Sequence, residues 1–184
     1  MTFDPYNEVL QLAKFNTVNG YETIDKSIES LHVAKDNSIW IGTFSSGLLR
    51  IHHNNNDIYS IEEFSISKKR ILSLAEKTNG NILCGTENDG LFEINYKSRN
   101  IKSYKQEKLK QNGIKSNSIW TVFTDNKDRV WLGYYNNGID LHDDNYNKFS
   151  SIKSLPYVSN SLNSSSVTGI AKDSDGRFWI SMFD

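Results

Sequence analysis

Cysteine is nearly missing from this sequence: its 184 residues hold one, Cys84. An internal disulfide is therefore excluded. Proline is almost as scarce, with two residues. No apolar run approaches the roughly 20 residues that a membrane-spanning helix needs, so no membrane contact by this segment is expected. The N-terminus MTFDPYNEV lacks a basic stretch followed by an apolar one and does not read as a signal peptide. Either the chain stays inside the cell, or it is a piece of a longer protein. An excess of one charge is missing too. Formal net charge is −1 and the densest basic run is only Lys68-Lys69-Arg70. A phosphate backbone calls for a clustered positive field, so nucleic acid is not an expected partner. No capping box opens a long stretch of 3.6-residue period, and residues 107–113 wind one helical turn at most.

Turn chemistry, by contrast, is everywhere. Gly, Asn, Asp and Ser are spread along the whole chain, as suits short strands joined by tight turns. One phrase recurs: WIGTFSSGLL at 40–49, LCGTENDGLF at 83–92 and WLGYYNNGID at 131–140. Anchored on Trp40, Leu83, Trp131 and Trp179, the copies are spaced 43, 48 and 48 residues apart. Such periods belong to repeat architectures, among them propellers.

Each column of the repeat has a physical reason. Twelve residues before the anchor stand Ile28, Ile71, Ile119 and Val167, and nine before stand Leu31, Leu74, Val122 and Ile170. These aliphatic columns suit a strand buried on both faces. Between them lie the small residues Ser30, Ser73, Thr121 and Gly169, expected where strands crowd around an axis. Asn37, Gly80, Asp128 and Gly176 hold the hairpin position that tolerates positive φ. Gly42, Gly85 and Gly133, with Ser181 in the last copy, let a neighbouring sheet approach. Cys84 shares an aliphatic column with Ile41, Leu132 and Ile180, and reads as a packed core thiol.

Four strands per copy follow: 28–34, 38–44, 47–53 and 58–64; then 70–77, 81–87, 90–96 and 100–106; then 118–125, 129–135, 138–144 and 148–153. The fold class is all-β, a partial β-propeller with blades of four antiparallel strands. Three whole blades (about 28–64, 70–106 and 118–153) lie between two half blades, 1–15 and 166–184. Each end shows a bare edge strand, which tends to pair. The halves are expected to close a ring of four blades within the chain, to join a second chain in a ring of eight, or to belong to a larger ring from which this piece comes.

The phrase Asn37-Ser38-Ile39-Trp40-Ile41-Gly42-Thr43 with Gly47-Leu48 resembles the two-component regulator propeller repeat. Asn79 to Thr86 with Gly90-Leu91 is similar, as is Asp125 to Gly133 with Gly138-Ile139. Asp173 to Ile180 makes a partial fourth copy, and Asp4-Pro5-Tyr6-Asn7 resembles the turn after the third strand. Departures are Leu83 for Trp, Ala34 and Lys77 for the turn Asp, and Ser181 for Gly. The resemblance implies the extracytoplasmic, periplasmic sensor of a histidine kinase, often a hybrid one, anchored in the inner membrane and responsive to glycan fragments. Kinase activity would then belong to the parent protein, not to this segment.

Catalytic signatures do not emerge. His52-His53 and His142-Asp143-Asp144 are neighbours on strands, where adjacent side chains point to opposite faces and cannot converge on one ion. Asp173-Ser174-Asp175-Gly176 reads as a turn, since a later acidic calcium ligand is missing. No serine elbow, phosphate loop or cysteine–histidine signature occurs. No catalytic residue, metal or cofactor is expected. Candidate ligand contacts fall instead on one rim, where the loops between second and third strands open beside the interblade loops. They are Phe44, Ser45, Glu87, Asn88, Tyr134, Tyr135, Asn136 and Arg70. Aromatic faces beside amides and carboxylates are what oligosaccharide binding uses. Trp120 reads either as a residue of the same rim or, the preferred reading, as a buried strand position. Three functions remain open: a non-catalytic ligand-binding module, a polysaccharide lyase or glycosidase, and a protein-interaction scaffold.

Overall fold

Alternating aliphatic and polar residues become three four-stranded antiparallel meanders in the computed structural model, which describes residues 2–4, 9–11, 15–54, 58–107, 113–144, 148–154, 156–157, 159 and 161–183. The first blade comprises β5 (Ile28–Val33), β6 (Ile39–Thr43), β7 (Leu48–Asn54) and β8 (Ile58–Phe64). The second holds β9 (Ile71–Glu76), β10 (Ile82–Thr86), β11 (Leu91–Asn95) and β12 (Asn100–Tyr104). The third holds β13 (Ile119–Thr124), β14 (Val130–Tyr134), β15 (Ile139–Asp143) and β16 (Lys148–Ile152). A two-stranded sheet follows, β17 (Ser166–Lys172) with β18 (Phe178–Phe183). Within each blade the strands pair in chain order. Inner strands pack successively, β5 on β9, β9 on β13 and β13 on β17. No helix occurs among the described residues. This is a partial β-propeller.

At the N-terminus, β1 (Thr2–Asp4) pairs with β2 (Val9–Gln11). Residues 5–8 and 12–14, with part of the Asp4–Asn7 motif, lie outside the described residues. Phe15 does not end the preceding strand as expected. It opens a separate hairpin, β3 (Phe15–Thr17) with β4 (Gly20–Glu22). The turn is Val18-Asn19, followed by Gly20 at φ +104°, and Thr17 Oγ1 donates to the Gly20 carbonyl at 2.9 Å. Phe15 meets Tyr59 edge-on, ring centroids 5.6 Å apart. With Ile24 it covers the outer face of the first blade, where Ile41, Leu49 and Ile51 are buried.

The cores lie between blades. Trp40, Leu48 and Phe64 of the first blade pack on Ile71, Leu74, Ile82 and Cys84 of the second. Leu83 and Leu91 of the second meet Ile119, Val122, Leu132 and Tyr134 of the third. Trp131 and Ile139 of the third meet Val167, Phe178 and Ile180. The glycine after each anchor makes this possible: a Cβ on Gly85 would stand 2.8 Å from Ile119 Cγ2 and 2.9 Å from Val122 Cγ2. The turn column keeps its expected backbone, with φ of +62° at Asn37, +82° at Gly80, +59° at Asp128 and +83° at Gly176.

Both aliphatic columns depart from expectation in the first blade, where Ile28 is 47% exposed although Ile71, Ile119 and Val167 are fully buried. Leu74 and Val122 are buried, but Leu31 is 63% exposed and Val33 66%. Between blades these columns are covered by the neighbouring sheet; among the described residues nothing covers that side of β5. Trp179, on β18, is 62% exposed for the corresponding reason at the other flank.

Cys84 is fully buried in the joint between first and second blades, and burial pushes its thiol well above the ordinary range. The thiolate is the reactive form. The native protein is therefore expected to resist alkylation by iodoacetamide and to react completely once unfolded in guanidinium. Stoichiometric labelling of the folded chain would contradict the burial.

Candidate functional site on the rim of the blades

In each copy the register slips once where the inner strand meets its partner. Ile28 pairs with Thr43 but Ser30 with Gly42, leaving Glu29 unpaired. Leu72, Trp120 and Thr168 are skipped in the same way. A bulge re-aims the extra side chain. Trp120, read from sequence as a buried strand position, is instead half-buried. Its ring lies against Tyr135, centroids 4.8 Å apart and planes tilted 31°.

These two aromatics line a hollow of about 530 Å³ with Glu87, Asn88, Asn136, Asn137, Ser116 and Ser118. Asn88 holds positive φ (+66°) at the tip of its loop. That loop is tied by Thr86, whose Oγ1 donates to the Gly90 carbonyl at 2.7 Å and accepts from Asp89 N at 3.2 Å. Asn136 is oriented by Ser166, whose hydroxyl donates to Oδ1 at 3.1 Å.

Arg70 stands next along the rim. Its guanidinium donates to Glu29 Oε2 at 2.8 Å, lies 3.9 Å from Glu87 Oε1 and sits over the Phe44 ring at 5.5 Å. Phe44 is more than half exposed. The bulge therefore supplies Glu29 in the first blade and Trp120 in the third, both facing this rim.

Of the sequence candidates, Glu87, Asn88, Tyr135 and Asn136 share one hollow. Arg70 and Phe44 adjoin it through Glu87. Ser45 does not join them. It lines a separate hollow with Ser46, Ser67, Lys68, Lys69 and Asp89. There, burial acts to raise the Asp89 carboxyl, but hydrogen bonds from Lys105 and Ser67 bring it below the ordinary range. Tyr134 is not on the rim surface at all. It is fully buried, and its hydroxyl donates to Asp140 Oδ2 at 2.7 Å. Its column is that of Thr43 and Thr86, whose side chains point inward to tie the loop. Burial first, and the Asp140 charge second, push its phenol well above the usual range.

The hollow thus offers two flat apolar faces, amide donors and acceptors, and a carboxylate. Stacking and multidentate hydrogen bonding are its chemistry. Among the described residues, no group of three or more His, Cys, Asp or Glu is placed to hold a metal ion.

Comparison with known proteins agrees with this architecture. Histidine kinase P4 of Formosa agariphila is 27% identical over 124 residues, 64% of this chain, and the chain spans 9% of that protein's length. The extracellular domain of a protein assigned to the hybrid two component systems of B. thetaiotaomicron superposes over 89% of this chain and 22% of its own, with TM-score 0.66 and 22% identity. Virginiamycin B lyase from Staphylococcus aureus superposes over 91% of this chain and 55% of its own, with TM-score 0.63 and 15% identity. At these identities the structural likenesses speak for the fold. Residues 161–184 match the two component regulator propeller model. The match to that repeat lies in the last two strands, and the three blades before it carry similar residues in the same columns.

Proposed function

We propose that this chain is the ligand-facing part of an extracytoplasmic sensor domain of a hybrid two-component histidine kinase, that it has no catalysis of its own, and that its ligand is a glycan fragment. The regulator propeller repeat and the kinase relative support the sensor assignment. The carrying observation is the Trp120–Tyr135 pair, held open by the bulge and flanked by Asn88, Asn136 and Glu87. Sugar rings stack on such faces, and their hydroxyls exchange hydrogen bonds with amides and carboxylates.

An oligosaccharide panel titrated calorimetrically into the chain, with product analysis of each mixture, tests the ligand and the absence of catalysis. At least one oligosaccharide is expected to bind, and Trp120→Ala to weaken it by about tenfold or more, as loss of a stacking platform does. Cleaved sugar in the mixture would overturn the non-catalytic assignment. Unchanged affinity in the Trp120→Ala variant would move the site elsewhere. The lyase among the structural neighbours shows only that propellers can carry chemistry, since fold does not fix function.

A further inference from the structure

The three joints between blades share one slot, and the middle one has lost its plug. In the first joint Trp40 fills it. The indole is fully buried, donates to Ser38 Oγ at 3.1 Å, and packs on Phe64 and Tyr96 with centroids 5.4 and 6.0 Å away. In the third joint Trp131 fills it, 4.4 Å from Phe178, its indole N–H donating to Asp125 Oδ2 at 3.2 Å. In the second joint the anchor is Leu83. The side chains around it leave a cavity of about 310 Å³, within the range of small-molecule pockets, which starts near 300 Å³.

Opposite charges line all three slots, as Arg50 with Asp36 does beside Trp40 and Arg129 with Asp125 beside Trp131, but in the middle slot they stand at different positions and no indole lies between them. Lys77 stands where Asp125 accepts the indole proton in the third blade. Glu93 stands at the register position of Arg50, and Asp144 at that of Tyr96. The Lys77 ammonium is 3.4 Å from Asp144 Oδ2 and 4.0 Å from Glu93 Oε1. Both Lys77 and Glu93 are nine-tenths buried in their side chains. Glu93 is fixed by Asn81 Nδ2 at 2.7 Å and by the Tyr104 hydroxyl at 2.8 Å. Leu83, Leu91 and Val130 make the apolar floor. A cleft with an apolar floor, a fixed ammonium and two carboxylates complements a molecule that has an apolar ring and carries both charges.

We propose that this cleft binds a free aromatic amino acid. The ring occupies the space that an indole fills in the neighbouring joints, lying on Leu83, Leu91 and Val130. The α-carboxylate takes the Lys77 ammonium, which has three donors to share, and the α-ammonium takes Asp144, the more exposed carboxylate. The cleft opens on the rim of the 77–81 turn, at the far end of β10 from the loop of Glu87 and Asn88, so it is distinct from the Trp120 hollow and independent of the glycan proposal.

Calorimetric titration of the chain with L-tryptophan tests it, with tryptamine (no carboxylate) and indole-3-propionate (no ammonium) as arms. L-tryptophan is expected to bind, and each arm to bind at least about tenfold more weakly, since loss of one charge partner strands the other. Leu83→Trp replugs the slot and is expected to abolish binding with the fold retained. Lys77→Met, which keeps the volume, is expected to erase the preference for tryptophan over tryptamine and carries the test should Leu83→Trp not fold. No binding up to the solubility limit, equal binding of all three compounds, or binding that survives Leu83→Trp would each overturn the proposal.

Discussion

Gly42→Ala is expected to lower the stability of the chain by about 3 kcal/mol, an overpacking effect at the upper end of the usual range. In a chain of this size that is a fall in Tm of roughly 6–12 °C. The reason is geometric. A Cβ on Gly42 would lie 2.2 Å from Ser30 Oγ, 2.7 Å from Ile71 Cγ2 and 2.7 Å from the Ile71 carbonyl oxygen. The serine hydroxyl cannot simply swing aside, because it donates to that same carbonyl at 2.7 Å and so pins the second blade to the first. Ile71 cannot yield either, being fully buried at the head of the second blade. One methyl group therefore pushes on two blades at once.

Gly80→Ala is the informative control. No atom lies within 4 Å of a Cβ there, and the only penalty is the backbone, at φ +82°. That strain is worth about 1 kcal/mol. Thermal melts of the two variants should differ severalfold in their displacement from wild type. If the two fell by the same amount, the glycines after each anchor would be there for backbone freedom and not for blade contact.

Much of this contact was legible beforehand. The glycine column, the turn column and the aliphatic columns all carry their signal in residue type, because the constraint is local: a missing side chain, a positive φ, an apolar surface. The four-stranded meander follows from them. What escaped was the bulge, although the sequence held a clue. Ile119 and Val122 are three apart within one strand, yet both join the single core of Leu83 and Leu91 on one face, which strict alternation forbids. One residue between them had to be skipped, and the register shows that it is Trp120. Its placement on the rim follows from that slip alone. The hairpin around Asn19-Gly20 was also readable, since Asn-Gly is a strong hairpin signal, though its turn falls at Val18-Asn19, and it lies outside the repeat with no column to flag it.

Tyr134 shows the opposite error. Its letter suggested a surface aromatic, yet its column, shared with Thr43 and Thr86, already said inward. Leu31 could not have been placed from its column, because its exposure depends on what stands beside the first blade and not on its own residue type. Leu83 was visible as a departure from the Trp series. That it leaves a charged cleft needed the third dimension, where Lys77, Glu93 and Asp144 meet.

Asp125→Ala and Asp173→Ala remove the same constellation from two settings, and the first is expected to cost far more. Asp125 accepts from Lys127 N at 2.9 Å, Arg129 N at 3.1 Å, Arg129 Nε at 2.7 Å and the Trp131 indole at 3.2 Å. Its side chain is wholly inaccessible to solvent. Truncation strands a guanidinium and an indole N–H around a void, which costs about 3 kcal/mol. Asp173 accepts the equivalent bonds from Asp175 N, Arg177 N, Arg177 Nε and Trp179 Nε1. There water can replace the lost acceptor, because Arg177 and Trp179 stand open to solvent. The Asp173→Ala melt should therefore move only slightly.

Acid should erase the larger difference. Burial acts to raise the Asp125 carboxyl, but the hydrogen bonds from Arg129, Lys127 and Trp131 outweigh it and hold the carboxyl below its ordinary 3.8. A carboxyl whose folded pKa is depressed stabilises fully above its unfolded value, and that contribution is lost as pH falls through the folded one. The Tm gap between wild type and Asp125→Ala should accordingly stay constant from about pH 7 to about pH 5 and narrow below about pH 4. A gap that stayed unchanged down to about pH 2 would mean that packing, and not the charged acceptor, sets the worth of this residue.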